Sequence, residues 1–202
     1  MNDEKVKNLV FGNLFSCKYK INSGSFGTVY EGVNEQTKEL VAIKLEPCTK
    51  NNKRNTLQKE SAFLSKLKGI KGIPELKWFG VEHDFYIIVL PILGLDLARH
   101  VKRYGAMDLL RVIDIAEQLL TTIEHMHSKG IIHRDIKPEN ILFGKNSDAA
   151  NVYLLDFGIS KYYIEFDGKL IPKLINKPFV GTLRYASVNS HFGIELSRKG
   201  RK

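Results

Sequence analysis

The sequence predicts an α+β fold in two lobes, the first built on five strands with one helix and the second mainly helical. Three observations predict it. Runs rich in β-branched and aromatic residues recur between Phe15 and Leu90. Pro91 and Gly94 then break the sheet, and the stretch from Leu109 to Ser128 carries apolar residues at helical spacing. On this reading residues 1–93 form an N-terminal lobe ending in a hinge, and residues 94–202 form a partial C-terminal lobe across a cleft.

Taken in order, Phe15 to Ile21 mixes apolar and polar residues as a strand does. Asn22-Ser23-Gly24-Ser25-Phe26-Gly27-Thr28-Val29-Tyr30 follows as a hairpin. Its two glycines lie three apart, so backbone can close over phosphates with no Cβ between, although many ordinary hairpins carry two glycines. Glu39 to Leu45 makes a third strand whose apolar run reaches Lys44. Asn51 to Lys68 is helical, with Leu57, Phe63, Leu64 and Leu67 on one face. Glu60, in mid-helix, is within reach of Lys44, while an exposed glutamate is the plainer reading. Leu76 to Gly80 and Phe85 to Leu90 complete the sheet. Asp108 is placed to cap the helix from Leu109 to Ser128, whose apolar stripe is Leu109, Val112, Ile113, Ala116, Leu119, Leu120, Ile123 and Met126. Lys129-Gly130 ends it.

Composition sets bounds. The chain has 202 residues, 43% hydrophobic and 26% charged, with a formal charge of +9. That excess favours acidic partners, either nucleic acid or acidic and phosphorylated proteins. There is no nucleic-acid-binding motif, so such a module ranks last. No apolar run approaches the roughly 18 residues of a membrane span, and Met1-Asn2-Asp3-Glu4-Lys5 lacks a signal peptide's apolar core. Cys17 and Cys48 give no disulfide framework and read as reduced thiols of a cytosolic or nuclear protein. His125, His127 and His133 invite a metal reading, but His125 and His127, two apart on a helix, face different ways and make a poor metal site.

The densest chemistry lies in Ile131-Ile132-His133-Arg134-Asp135-Ile136-Lys137-Pro138-Glu139-Asn140. Asp135 can accept the proton of an attacking hydroxyl, Lys137 can offset charge on a transferring phosphoryl, and the Asn140 amide oxygen can hold a metal. Ile141-Leu142-Phe143 and Val152 to Leu155 then form two short strands around a polar turn, and Asp156-Phe157-Gly158 follows at once. That hairpin brings Asp156 back beside Asp135 and Asn140. A carboxylate and an amide converging there suit magnesium.

Together these motifs resemble a eukaryotic protein kinase from its first strand to the end of its activation segment. Lys137 and the Gly181-Thr182 pair point to serine/threonine specificity. Ser23-Gly24-Ser25-Phe26-Gly27, Lys71-Gly72-Ile73-Pro74 and Arg184-Tyr185-Ala186-Ser187-Val188-Asn189-Ser190-His191 are similar to the casein kinase I group, whose Ser-Ile-Asn-like triplet is here Ser187-Val188-Asn189. The resemblance implies that Ile21, Asn22, Ser23, Gly24, Ser25, Phe26, Gly27, Thr28 and Val29 form a lid over ATP. It implies that Lys44 contacts the α and β phosphates and pairs with Glu60, and that the N–H of Leu93 faces the adenine. Asp135 would orient the hydroxyl proton, Lys137 would steady the transferring group, and Asn140 with Asp156 would hold magnesium. Arg134, Lys161, Lys177 and Arg184 match family positions lining a basic groove for acidic or phosphorylated protein substrates.

Some features depart from the family. Asn22 replaces the first loop glycine, where its tolerance of positive φ would help. Pro91 stands at an acidic hinge position. After Arg198 the family continues into a long central helix and a helical subdomain, whereas this chain ends at Lys202. A C-terminally truncated lobe, an exposed stripe on the 109–128 helix, marginal stability and poor activity are therefore expected. The rival reading is a non-catalytic pseudokinase fragment that binds nucleotide or a partner. An intracellular location, in nucleus or cytoplasm, accompanies the resemblance.

Overall fold

The computed structural model describes residues 6–7, 9–24, 27–48, 56–165, 167–172 and 174–198. The chain divides into two compact units, Met1–Lys68 with Pro74–Leu93 and Gly69–Ile73 with Gly94–Lys202.

The first unit is an antiparallel sheet of strands β1 (Val10–Phe11), β2 (Phe15–Gly24), β3 (Gly27–Asn34), β4 (Leu40–Pro47), β5 (Trp78–Glu82) and β6 (Phe85–Pro91), in the order β1-β2-β3-β4-β6-β5. The two-residue β1 is a strand beyond the five expected. Two residues are too few to show the alternation that reveals a strand in sequence. Alternate residues of β4, namely Val41, Ile43 and Leu45, are buried against Phe11, Phe15, Cys17, Tyr30, Ile87 and Val89. Period-two alternation thus puts one face of the sheet on the core and turns Lys44 to the other. Cys17 lies inside this core, and burial pushes its thiol up to about 12. Pro91 pairs with Val41 as the last residue of β6, so the sheet ends after the proline and not before it.

Helix α1 (Thr56–Lys66) packs on β4 and β6. It buries Leu57, Glu60, Ser61 and Leu64, one face at i, i+3, i+4 and i+7, with Leu67 just beyond. Phe63 is only half-buried, and residues 51–55 of the expected helix lie outside the described residues. Glu46 on β4 accepts a hydrogen bond from Leu57 N at 2.8 Å, satisfying one of the first N–H groups of α1.

In the second unit, α2 (Leu97–Tyr104) and α3 (Leu109–Ser128) are capped by Asp96 and Asp108, whose side chains accept from the N–H groups of Arg99 and Arg111. Gly130, at φ +76, ends α3 with its N–H on the His127 carbonyl. The short strands β7 (Ile131–Ile132) and β10 (Lys161–Tyr162) pair, as do β8 (Ile141–Phe143) and β9 (Val152–Leu154). Residues 69–73 join this unit because the Gly72 carbonyl accepts from Leu154 N and the Lys71 carbonyl from the Thr122 hydroxyl.

The apolar stripe expected on α3 is largely exposed, as expected, and of its residues only Met126 is buried. The helix buries Ile115, Thr122 and Met126, while Leu109, Val112, Ile113 and Leu120 are exposed. Gln118 explains the choice of face. It accepts from Val152 N and donates to the Ala150 carbonyl, which fixes that side of α3 against the β8–β9 hairpin. Among the described residues no helix is long and apolar enough to cross a membrane.

Candidate active site

In the first unit, Lys44 donates to Glu60 at 2.7 Å, and Glu60 is 2% exposed. The glutamate expected to be solvated by default is thus a buried ion-pair partner. The β2–β3 hairpin pairs Asn22 with Val29, Ser23 with Thr28 and Gly24 with Gly27; Ser25 and Phe26 lie outside the described residues. Ile21 and Asn22 are exposed. Asn22 sits in extended strand with no positive φ, and its side chain accepts from Ser23 N, so the tolerance anticipated for it is not used. The two glycines differ. A Cβ on Gly27 would meet the Leu45 carbonyl oxygen at 2.3 Å, so that glycine serves the sheet. Among the described residues a Cβ on Gly24 would meet nothing within 4 Å, so none of them requires glycine there. Leu93 closes this unit two residues beyond β6.

In the second unit, β7 delivers the chain to His133, and Arg134 turns it with φ +73, a conformation costly for a side-chain-bearing residue. Asp135 is then enclosed. Its Oδ1 accepts from the Thr182 hydroxyl at 2.7 Å, and its Oδ2 from Lys137 Nζ at 2.8 Å and from Asn140 Nδ2 at 3.2 Å. Lys137 Nζ also donates to Thr182 Oγ1 at 2.9 Å, closing a triangle. Burial pushes the Asp135 carboxyl up. The hydrogen bonds from Lys137 and Thr182, the Lys137 charge and the Asn140 hydrogen bond outweigh it and hold the group below the usual carboxylate range.

Thr182 belongs to the cluster around Asp135, although the sequence reading uses it only as a specificity signal. It lies 47 residues from Asp135, beyond the reach of any local pattern. Gly181 beside it has φ +105, and a Cβ there would meet the Arg134 carbonyl oxygen at 2.8 Å, so only glycine lets this segment lie against the Asp135 loop.

Asn140 spends its amide N–H groups on the Asp135 carbonyl, at 2.8 Å, and carboxylate, leaving its amide oxygen as the available acceptor. The Leu155 N–H donates to the Asn140 carbonyl at 2.9 Å, which brings Asp156 beside Asn140. Asp156 also holds a positive φ of 68°. One carboxylate and one amide oxygen fit magnesium, a hard ion that takes oxygen ligands and keeps waters and phosphate oxygens in its shell. No set of three His, Cys, Asp or Glu side chains arranged for a metal occurs among the described residues.

His133 is buried beneath this loop. Its Nε2–H donates to the Leu155 carbonyl at 2.9 Å, its Nδ1 accepts from Asp135 N at 3.2 Å, and Phe157 meets its ring edge-on. It is a positioning group that the sequence reading had weighed only as a metal ligand.

Arg134, Lys161 and Lys177 gather on one cavity of about 260 Å³. Arg134 Nε donates to the Ile159 carbonyl at 2.6 Å. Glu195, which the sequence reading passed over, lies in the same cavity, with Oε1 2.8 Å from Lys161 Nζ and Oε2 3.8 Å from Lys177 Nζ. Burial raises the Glu195 pKa, but the Lys161 hydrogen bond and the charges of Lys161, Lys177 and Arg134 hold it below the usual range. Arg184, grouped with these cations in the sequence, is exposed and is not among the cavity's lining residues; its guanidinium lies over the Tyr185 ring at 5.8 Å. A side chain packed on its own neighbour has no pull toward a cluster of like charge.

A family profile described as "Protein kinase domain" matches residues 15–189.

Proposed function

The chain belongs to the protein kinase family, and we propose that within it the protein is a serine/threonine kinase of the casein kinase I type. It would transfer the γ-phosphoryl group of ATP to serine or threonine hydroxyls of acidic or already phosphorylated proteins. The observation that carries this reading is the Asp135 carboxylate, held ionised by Lys137, Thr182 and Asn140. An ionised, fixed carboxylate suits the acceptance of a hydroxyl proton while the hydroxyl oxygen bonds to the γ-phosphorus and ADP leaves. Lys137 offsets charge on the group in transit. Lys44, aligned by Glu60, would grip the nucleotide phosphates, and among the described residues none crowds Gly24, where backbone would approach them. Asn140 and Asp156 would hold magnesium, which when bound neutralises phosphate charge. Most of the rate gain is positioning and charge stabilisation.

The casein kinase I assignment draws on Ser187-Val188-Asn189 and on the cationic cavity of Arg134, Lys161 and Lys177, whose sign suits acidic acceptors. Phosphate transfer from labelled ATP to an acidic protein tests the reading. Asp135→Asn keeps the side chain's shape but cannot take the proton, and should lower turnover about 10²- to 10⁴-fold. Equal transfer by the variant and the unaltered chain would leave the non-catalytic, ligand-binding fragment as the better description.

A further inference from the structure

The cationic cavity already contains an anion of its own. Among its charged lining residues are three cations, Arg134, Lys161 and Lys177, and one carboxylate, Glu195. The carboxylate spans the two lysines, one oxygen on each, tightly at 2.8 Å and loosely at 3.8 Å. Its main chain is pinned separately, because Glu195 N donates to the Leu174 carbonyl at 2.8 Å and Lys177 N to the Gly193 carbonyl at 2.8 Å. The side chain can therefore swing out of the lysines without unfastening the segment that bears it. The cavity, at about 260 Å³, exceeds the roughly 30 Å³ of one water several times over, enough for a tetrahedral oxyanion beside the lysines.

We propose that Glu195 is a specificity-determining residue, an internal carboxylate that occupies the anion site and that an incoming phosphorylated segment must displace. The proposal rests on reading this cavity as the place where acidic or phosphorylated acceptors are recognised, and it narrows that class. Any ligand must release the same Glu195 carboxylate, so the cost is common to all. A phosphate monoester, with about 1.5 to 2 negative charges and three acceptor oxygens, recovers that cost. A glutamate on the acceptor carries only the charge it replaces and gains nothing. The residue thus sets a threshold that favours previously phosphorylated acceptors over merely acidic ones.

The test is calorimetric titration of the full chain and of Glu195→Gln with inorganic phosphate at constant ionic strength. Binding is assigned to this cavity by its loss in Lys177→Ala. Glu195→Gln should bind phosphate about tenfold more tightly, because no carboxylate has to leave. On the unaltered chain, saturating phosphate should shift the ¹³C resonance of the Glu195 carboxylate carbon as it leaves the lysines. That measurement decides the matter alone if Glu195→Gln does not fold. Equal or weaker binding by Glu195→Gln, or a resonance that stays put while phosphate binds at the Lys177-dependent site, makes Glu195 a permanent strut and overturns the proposal while the anion site stands. Absence of Lys177-dependent phosphate binding in both proteins removes the anion site itself, and the proposal with it.

Discussion

Arg134 and Asp135 are neighbours in the chain yet serve two clusters of opposite design. The left-handed turn at Arg134 sends successive side chains different ways. Around Asp135 one carboxylate meets one ammonium, one hydroxyl and one amide at 2.7 to 3.2 Å, and each donor is spoken for. Around Arg134, three cations share one carboxylate across contacts of 2.8 and 3.8 Å, with open volume beside them. Both carboxylates are held low against burial by the lysines beside them. The difference lies in what remains. The first cluster is a closed set that fixes one protonation state, and the second keeps positive charge unspent.

If closure is what matters at Asp135, Thr182→Val should be the more damaging change. Valine keeps the volume but removes the hydroxyl that donates to Asp135 and accepts from Lys137. Turnover with labelled ATP should fall about a hundredfold, as small misplacements of reacting groups do, while the melting temperature moves little. Turnover within twofold of the unaltered chain would mean that the triangle is a bystander. A smaller effect is expected at the other cluster. Lys177→Ala should lower kcat/KM about tenfold on a phosphorylated acceptor and leave a neutral peptide acceptor within twofold. Added salt should erase the distinction, since Lys177 is well exposed. Equal losses on both acceptors would merge the two clusters into one catalytic unit and end the contrast.

How much of this was legible in the sequence follows from distance along the chain. Asp135, Lys137 and Asn140 fall within six residues, and Asp108 sits directly before its helix, so local spacing sufficed. Lys44 and Glu60 lie on two regular elements, and their pairing could be named but not decided, because a mid-helix glutamate is ordinarily solvated. Thr182, Gly181 and Glu195 reach their partners only through the fold of an irregular segment that has no periodicity to read. On α3 the exposed stripe was legible, but the side that packs was not. That helix is apolar on more than one side, and the buried side is chosen by Gln118 and Thr122, polar residues that a hydrophobic pattern discounts. Arg184 is grouped with the other cations by its match to a family position, and a motif match does not locate a side chain.

The smallest expected effect concerns His133, which underlies the closed cluster. Its environment admits only the neutral Nε2–H tautomer: the Leu155 carbonyl needs a donor, and the Asp135 N–H needs an acceptor. A second ring proton would set Nδ1–H against the Asp135 N–H. Burial lowers the His133 pKa, opposed by the Leu155 carbonyl and by the charges of Asp156 and Asp135. A base whose folded pKa is depressed lets the unfolded chain take up its proton first. Its contribution to stability is therefore intact above about pH 6.5 and is lost as pH falls from there toward the folded value, by at most about 1.4 kcal/mol per pH unit for one proton. The depressed Asp135 and Glu195 act in a separate window, losing their contribution only as pH drops below the ordinary carboxylate range near pH 4. His127, also lowered by burial and by Arg198, adds a share in the upper window. Urea unfolding at pH 7.5 and pH 5.5 should show lower stability at pH 5.5, and His133→Gln should remove the larger part of that difference. An unchanged difference in His133→Gln would mean that the histidine accepts its proton within the fold, and that the Asp135 loop tolerates a charge beneath it.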